Sequence, residues 1–312
     1  MKKILLTMAI NNSLLLNSSF LCYDFNANST NIIKESKEIN FLATADIHAG
    51  YEDSYSSQTI SAIAKKLSKN NNRGVVISGD LVGGIEYTGN LFSYKTMMSS
   101  ISTHTLAGFG NHDSGPNSKF NQTWLNQNIV KRNAMTAAPI LYYASKDEVP
   151  VYSWNWSGIH FVQCSLAPIN KDVTVEQNNP PGPALTELRK DLETNVGVNN
   201  MPVVLSFHYG YDEFSIGENW WNQEQRSEFE NTILAKYNVI LMSTGHLHFY
   251  PNELYTIPVN VGKKTIYDVL SGTALYGGYS EISINPDNKK ITIKRHDVNK
   301  NDDVVMNFKI NY

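Results

Sequence analysis

Residues that could bind metal ions follow five short apolar segments of the sequence. In chain order these residues are Asp46, His48, Asp80, Asn111, His112, His208, His246 and His248. Side chains two positions apart point the same way in an extended segment, so Asp46 can pair with His48, and His246 with His248, at one site. Carboxylate, amide and imidazole donors without thiolates are suited to Mn, Fe or Zn.

The number of donors indicates more than one ion. The seven candidate metal ligands are Asp46, His48, Asp80, Asn111, His208, His246 and His248. Seven donors are too many for one tetrahedral ion. With one carboxylate shared, they match two ions about 3.5–4 Å apart, a spacing that stabilises the attacking and leaving oxygens of an in-line displacement. The sequence therefore predicts two divalent ions, Mn, Fe or Zn.

The elements that must position these residues alternate in type through the first half of the chain. Strands are predicted at 40–45, 74–78 and 103–109, with helices at 57–67 and 91–99 between them. This order is typical of βαβ units with a mainly parallel sheet. Ligands in such sheets gather at the carboxyl ends of the strands, so donors far apart in the chain can converge.

The second half of the chain predicts a second sheet. Aromatic and β-branched runs at 140–143, 151–156 and 159–165 indicate hairpins. Further strands are predicted at 203–207, 239–243, 264–270, 279–284 and 291–295, and helices at 121–128, 183–194 and 223–236. The whole predicts an α/β fold of two stacked mixed β-sheets flanked by helices, in a single catalytic domain over residues 39–312.

The N-terminal residues suggest export. Two lysines at positions 2 and 3 precede short apolar stretches at 4–10 and 14–16. A positive tip and a short apolar stretch are typical of a secretory signal peptide, predicted here over residues 1–24 and followed by a polar linker at 25–38. A plain N-terminal extension is the alternative. The apolar runs are too short to span a bilayer, so we expect a secreted or periplasmic protein without a membrane span.

Composition excludes several classes of protein. Hydrophobic residues make up 41% of the chain, which excludes intrinsic disorder. The net charge is 26 − 29 = −3, so no general basic field recruits nucleic acid. Only two cysteines occur, so neither a thiolate cluster nor a disulfide framework is available.

Taken together, the motifs resemble those of the calcineurin-like metallophosphoesterases. In the order of that family, the matching segments are Asp46-x-His48, Gly79-Asp80, Gly110-Asn111-His112-Asp113, His208 and Gly245-His246-x-His248. The resemblance covers roughly residues 40–250 and implies a four-layer αββα sandwich. It also implies hydrolysis of phosphate esters at a dinuclear metal centre.

The resemblance implies a role for each ligand. By its pattern, one metal is held by Asp46, His48 and His248, and the other by Asn111, His208 and His246, while Asp80 bridges them. It further implies that His112 contacts the phosphoryl oxygens or protonates the leaving group. Asp113 is the candidate for orienting His112.

Substrate residues are predicted from the aromatic segment after His208. Tyr209, Phe214 and Trp221 are the candidates for a wall that packs on an apolar or ring-bearing leaving group, and a loop anchored by aromatic packing is the alternative. After Asp80 the chain lacks the Asp-Arg-Gly sequence of related protein phosphatases, which disfavours a phosphoprotein substrate.

We therefore expect an exported phosphatase acting on a small-molecule phosphate ester. Two alternatives remain at this stage. One is a phosphodiesterase acting on small-molecule or lipid head-group diesters, because both reactions use the same ligands. The other is a secreted effector that binds the metals without turnover, against which the presence of His112 argues.

Overall fold

The computed structural model describes most of the chain from residue 38 onward. The described residues are 38–52, 54–69, 71–83, 88–113, 123–146, 149–166, 182–197, 200–212, 215–216, 220–248, 256–300 and 303–310. They all belong to one compact unit, Ser36–Tyr312. The predicted signal peptide and nearly all of the predicted linker lie outside the described residues, so both stay predictions.

The described residues form thirteen strands and five α-helices. The strands are β1 (Ile39–Thr44), β2 (Asn72–Ile77), β3 (Thr105–Ala107), β4 (Ile140–Lys146), β5 (Val149–Trp156), β6 (Ile159–Gln163), β7 (Val203–Tyr209), β8 (Val239–Gly245), β9 (Thr256–Val261), β10 (Lys264–Leu270), β11 (Gly278–Asn285), β12 (Lys290–Asp297) and β13 (Val304–Lys309). The helices are α1 (Ser56–Lys69), α2 (Thr88–Met97), α3 (Lys131–Ala137), α4 (Gly182–Asn195) and α5 (Gln223–Phe229). No described helix is long and apolar enough to cross a bilayer.

The strands form two mixed sheets. The first sheet has the order β13-β12-β11-β1-β2-β3, and the second has the order β4-β5-β6-β7-β8-β10-β9. Strands β1, β2 and β3 run parallel, as do β6, β7, β8 and β10. The predicted fold of two mixed sheets with flanking helices is confirmed.

Apolar side chains hold the layers together. Between the sheets, Phe41 packs on Phe161 and Trp156, with ring centroids 5.4 and 6.3 Å apart. Helix α1 buries Ile60 and Ile63 against the first sheet, since apolar residues recur on one helical face. A second cluster of buried side chains lies against the outer face of the second sheet and includes residues of α4 and α5.

Most predicted elements are present, with three differences. The strand predicted at 103–109 covers only Thr105–Ala107, since Ser102–His104 form a 3₁₀ helix and the chain leaves the sheet after Ala107. The helix predicted at 121–128 extends to Ala137 through a π-helical turn. Strands β9 and β13 were not predicted; each is a sheet edge, and β9 contains a proline, which an edge tolerates.

Replacing the central aromatic residue tests the packing between the sheets. Phe41→Ala should lower the free energy of unfolding by about 3–5 kcal/mol, because its fully buried ring would leave a cavity. Phe92, which is 73% exposed, is the matched control: Phe92→Ala should change stability by less than about 0.5 kcal/mol. Denaturant unfolding measures both. Equal effects of the two changes would contradict this packing.

Candidate metal centre

The chain turns sharply where the central strands end, and the turns aim the candidate ligands. Asp46, His48, Asp80 and His246 all have positive φ, between 45° and 70°, in the left-handed region that residues other than glycine seldom adopt. Backbone hydrogen bonds hold the first turns against each other. The N–H of Asp46 donates to the carbonyl of Gly79 at 3.0 Å, and that of His48 donates to the carbonyl of Asp80 at 3.0 Å.

Four of the predicted ligands form one group of donors. Ligand atoms of Asp46, His48, Asp80 and His248 all lie within 4.8 Å of one another. The Nε2 atoms of His48 and His248 are 3.0 Å apart, and His248 Nε2 lies 3.4 Å from Asp46 Oδ1. In this arrangement two imidazole nitrogens face each other next to buried carboxylates. A cation bound between these donors would compensate the negative charge of the carboxylates.

Three further predicted ligands form a second group beside the first. Asn111 Oδ1 lies 3.1 Å from His208 Nε2 and 3.1 Å from His246 Nδ1. The elements that bring them together are the loop after β3 and the ends of β7 and β8. This group therefore combines a ligand from the first sheet with two from the second.

Asp80 lies between the two groups. Its Oδ2 atom is 3.6 Å from His48 Nε2 on one side and 3.2 Å from His208 Nε2 on the other. Its Oδ1 atom accepts a hydrogen bond from the N–H of His112 at 2.9 Å, which fixes the carboxylate. One oxygen of Asp80 is thus positioned to serve both groups.

The chemistry of these donors fits divalent cations. Asp46 and Asp80 are 1% exposed, and the buried Oδ2 atom of Asp46 accepts no hydrogen bond from any described residue. A buried carboxylate oxygen without a donor is unfavourable unless a cation compensates its charge. Buried carboxylates, an amide oxygen and imidazoles form a ligand set suited to Mn, Fe or Zn.

The histidines differ in their charge state. Burial lowers the pKa of His48 to about 4, and burial together with the charge of His208 lowers the pKa of His246 to about 3. Burial also acts to lower the pKa of His208, but the neighbouring carboxylates of Asp80 and Asp46 outweigh it and raise that pKa to about 9. The same histidine holds the pKa of Asp80 below its usual range despite burial.

The ring of His208 is oriented by the backbone of the first sheet. Its Nδ1–H donates to the carbonyl of Ser78 at 2.8 Å, so Nε2 faces Asp80 and Asn111. A hydrogen bond from the outer nitrogen of a ligating histidine is the usual way to fix which nitrogen binds the metal.

His112 lies at the edge of the centre. It is partly exposed, and its ring lies edge-on to that of His48 with centroids 4.7 Å apart. This position leaves the imidazole accessible to a substrate beside the two groups of donors.

Asp113 makes contacts other than those expected. It is 1% exposed, and its carboxylate accepts hydrogen bonds from the N–H groups of Leu81, Val82 and Gly110 at 2.9–3.1 Å. Among the described residues no hydrogen bond joins it to His112. Asp113 therefore ties the loop after Asp80 to the loop before Asn111, instead of orienting the imidazole of His112.

Of the three predicted substrate residues, two are buried and one lies outside the described residues. Tyr209 and Trp221 are 0% and 1% exposed, and Trp221 Nε1 donates to the carbonyl of Tyr209 at 2.9 Å. Both are packed in the interior, which matches the alternative of a loop anchored by aromatic packing. Phe214 lies outside the described residues.

Other aromatic residues stand at the edge of the centre. Tyr51 is 44% exposed and stacks on His48 at 5.0 Å, while the partly exposed Trp220 lies 5.2 Å from His246. Tyr51 is not among the residues predicted from the sequence to contact the substrate, whereas Trp220 belongs to the aromatic segment after His208 that suggested a pocket wall. The proximity of Tyr51 to the Asp46-x-His48 motif was the available signal.

Comparison with known proteins identifies the family. The sequence profile of the calcineurin-like phosphoesterases matches residues 39–250. This chain belongs to the calcineurin-like phosphoesterase family. The resemblance seen in the motifs is thereby confirmed, and the candidate metal ligands all lie within the matched region. No curated protein matches the chain.

Several solved structures are similar to this calcineurin-like phosphoesterase. GAP50, the anchor in the inner membrane complex of Plasmodium, is 10% identical with a TM-score of 0.50, covering 88% of this chain and 89% of its own. The TT1561 protein of Thermus thermophilus is 14% identical with a TM-score of 0.47, covering 83% and 99%. Vps29 of Entamoeba histolytica, solved with zinc, is 11% identical with a TM-score of 0.39, covering 88% and 100%. At these identities the likeness concerns the fold alone.

A substitution of Asp113 tests its contacts. Asp113→Asn should lower the free energy of unfolding by about 1–3 kcal/mol, because one carboxylate oxygen becomes an NH₂ group facing a backbone N–H. Glu52→Gln, at an exposed position, should change it by less than about 0.5 kcal/mol. Urea unfolding of the metal-free protein measures both. Full stability of Asp113→Asn would contradict the described hydrogen bonds.

Cation binding should release a proton from His208. In the metal-free protein its pKa of about 9 keeps it protonated at neutral pH, and coordination through Nε2 must displace that proton. We expect release of about one proton from His208 at about pH 7 and much less at about pH 10, which lies above that pKa. Calorimetric titration in buffers of different ionisation enthalpy counts the protons. Release that does not fall as the pH rises past the pKa of His208 would contradict the assigned charge state.

Proposed function

We propose that this chain is a hydrolase of phosphate esters that uses two divalent metal ions, Mn, Fe or Zn. The position of Asp80 carries the proposal. Its Oδ2 atom faces His48 Nε2 of one group of donors and His208 Nε2 of the other, at 3.6 and 3.2 Å. A carboxylate shared in this way is suited to a pair of ions rather than one.

Each ion has its own ligands under this proposal. Asp46, His48 and His248 would hold one cation, and the other would be held by the remaining three ligands, Asn111, His208 and His246. When bound, such cations offset the negative charge of a phosphate ester and activate water for attack on phosphorus.

The remaining chemistry belongs to side chains of the protein. His112 is accessible beside His48, so its imidazole can contact a phosphoryl oxygen or give a proton to the leaving alkoxide. The hydrogen bond from its backbone N–H to Asp80 Oδ1 fixes its position relative to the metal ligands. Tyr51 beside His48 and Trp220 beside His246 would exclude water from a bound substrate.

For the substrate we propose a small-molecule phosphate monoester. The absence of an Asp-Arg-Gly sequence after Asp80 disfavours phosphoprotein substrates, since it removes an arginine that could grip phosphate. Phosphodiesterase activity is the second candidate. The exposed ring of Tyr51 favours it, because a second ester group carrying a ring could stack there.

We also propose that the protein is exported. The support is in the sequence, where two lysines precede short apolar stretches near the N-terminus.

Paired substrates and variants test the proposed reaction. The Mn-loaded protein should hydrolyse p-nitrophenyl phosphate faster than bis-p-nitrophenyl phosphate. Asp80→Ala should abolish turnover together with cation binding, since both groups of donors lose the shared carboxylate. His112→Ala should lower kcat about 10²–10⁴-fold while the cations are retained, because it removes a proton donor and no ligand.

His104 provides the matched control. It is exposed and hydrogen-bonds through its ring only to its neighbour Thr103 among the described residues, so His104→Ala should leave rate and cation content unchanged. Faster hydrolysis of the diester would favour the phosphodiesterase. No turnover of either substrate by protein that holds its cations would overturn the proposal in favour of a metal-binding effector.

A further inference from the structure

A chain of buried hydroxyl groups crosses the space between the two sheets behind the metal centre. Ser78 follows β2 in the first sheet, while Ser206 and Ser243 lie on β7 and β8 of the second. Ser78 Oγ lies 3.1 Å from Ser206 Oγ and donates to the carbonyl of Ser243 at 2.9 Å. The three serines are 0–2% exposed, and a hydrogen bond between the hydroxyls of Ser243 and Ser271 extends the chain of hydroxyls.

Two of these serines precede a metal ligand by two positions. Ser78 lies two residues before Asp80, and Ser206 lies two residues before His208. Ser206 and His208 lie two apart on the extended strand β7 and face the same way. Ser78 is joined to Asp80 through the left-handed turn at Gly79 and Asp80. A displacement of one sheet at the serines is therefore transmitted directly to the ligands.

Ser78 is the residue at which these contacts meet. Besides its hydroxyl contacts, its carbonyl accepts the Nδ1–H of His208 at 2.8 Å, and its N–H donates to the carbonyl of Thr44 on β1 at 3.0 Å. It thereby joins β1, β2, β7 and β8, the four strands whose ends carry most of the candidate ligands.

The metal centre needs such a directional contact. Most of the contact between the sheets is apolar, and the burial of apolar surface is non-directional, whereas a hydrogen bond fixes a particular pair of atoms at a particular distance. A metal ion, by contrast, requires its ligands within a few tenths of an ångström of ideal distances. Gln163 Nε2, which donates to the carbonyl of Ile77 at 2.6 Å, adds a second polar contact next to Ser78.

We propose that Ser78 is a positioning residue whose hydroxyl sets the distance between Asp80 and Asn111 in the first sheet and His208 and His246 in the second. It thereby determines how tightly the second cation, the one assigned to Asn111, His208 and His246, is bound. The inference rests on the proposed function insofar as the centre holds two cations.

Removing the hydroxyl of Ser78 tests its positioning role without disturbing the hydrogen bond between the carbonyl of Ser78 and His208. Ser78→Ala keeps the carbonyl that accepts from His208 and loses the hydroxyl contacts to β7 and β8. The second cation should bind about ten- to a hundredfold more weakly, while the affinity for the first changes less than about twofold. Ser243→Ala should have a smaller effect, since Ser78 can still donate to the carbonyl of residue 243.

Ser153 is the matched control for a buried serine. It is 0% exposed and donates to Asp191 at 2.7 Å, away from the metal ligands. Ser153→Ala should cost stability similar to Ser78→Ala and leave both cations in place. If Ser78→Ala does not fold, Ser206→Ala removes the partner hydroxyl on β7 and should weaken the same cation.

Mn²⁺ titration of the metal-free variants, followed by calorimetry and by the electron paramagnetic resonance signal of a coupled Mn pair, distinguishes the outcomes. Selective loss of the second Mn²⁺ and of the coupled signal in Ser78→Ala, but not in Ser153→Ala, supports the inference. Two Mn²⁺ bound with wild-type affinities and a wild-type signal in Ser78→Ala and Ser206→Ala overturn it. Fewer than two Mn²⁺ in the wild type would instead refute the dinuclear function.

Discussion

Two carboxylates buried side by side are the constraint that organises this molecule. Asp46 and Asp80 are almost fully enclosed, where an ionised carboxylate is unfavourable unless positive charge lies next to it. In the metal-free protein His208 supplies part of that charge, which is why its pKa rises to about 9 although burial acts in the opposite direction. Divalent cations would supply the charge in full, so the same electrostatic need that perturbs His208 prepares the centre to bind metal.

The fold meets this need at the ends of parallel strands. Donors that follow β1, β2 and β3 approach from one sheet and donors at the ends of β7 and β8 from the other, so neither sheet alone forms the centre. Left-handed turns at Asp46, His48 and Asp80 store backbone strain there, and hydrogen bonds between neighbouring loops compensate it. The buried carboxylate of Asp113 contributes to this support by accepting hydrogen bonds from three backbone N–H groups.

Sequence reasoning could place the metal ligands because strand ends and two-residue spacing are local features. Asp80 and His208 each follow an apolar run, and their meeting requires only that parallel strands end at one edge. The contacts of Asp113 could not be read in this way, since its N–H donors come together only in the folded loops. Trp221 shows a second limit of sequence-based prediction. An aromatic residue that follows a ligand in the sequence is equally compatible with a pocket wall and with the core, and the structure buries Trp221 in the core. The edge strand β13 was missed although Val304, Met306 and Phe308 alternate with more exposed residues, which is the pattern of a strand covered on one face.

Anomalous diffraction from crystals of the protein soaked in Mn²⁺ would examine the shared carboxylate most directly. The account predicts two peaks about 3.5–4 Å apart, with Oδ2 of Asp80 within bonding distance of both. A single peak, or a pair of peaks that leaves Asp80 without a metal contact, would contradict it.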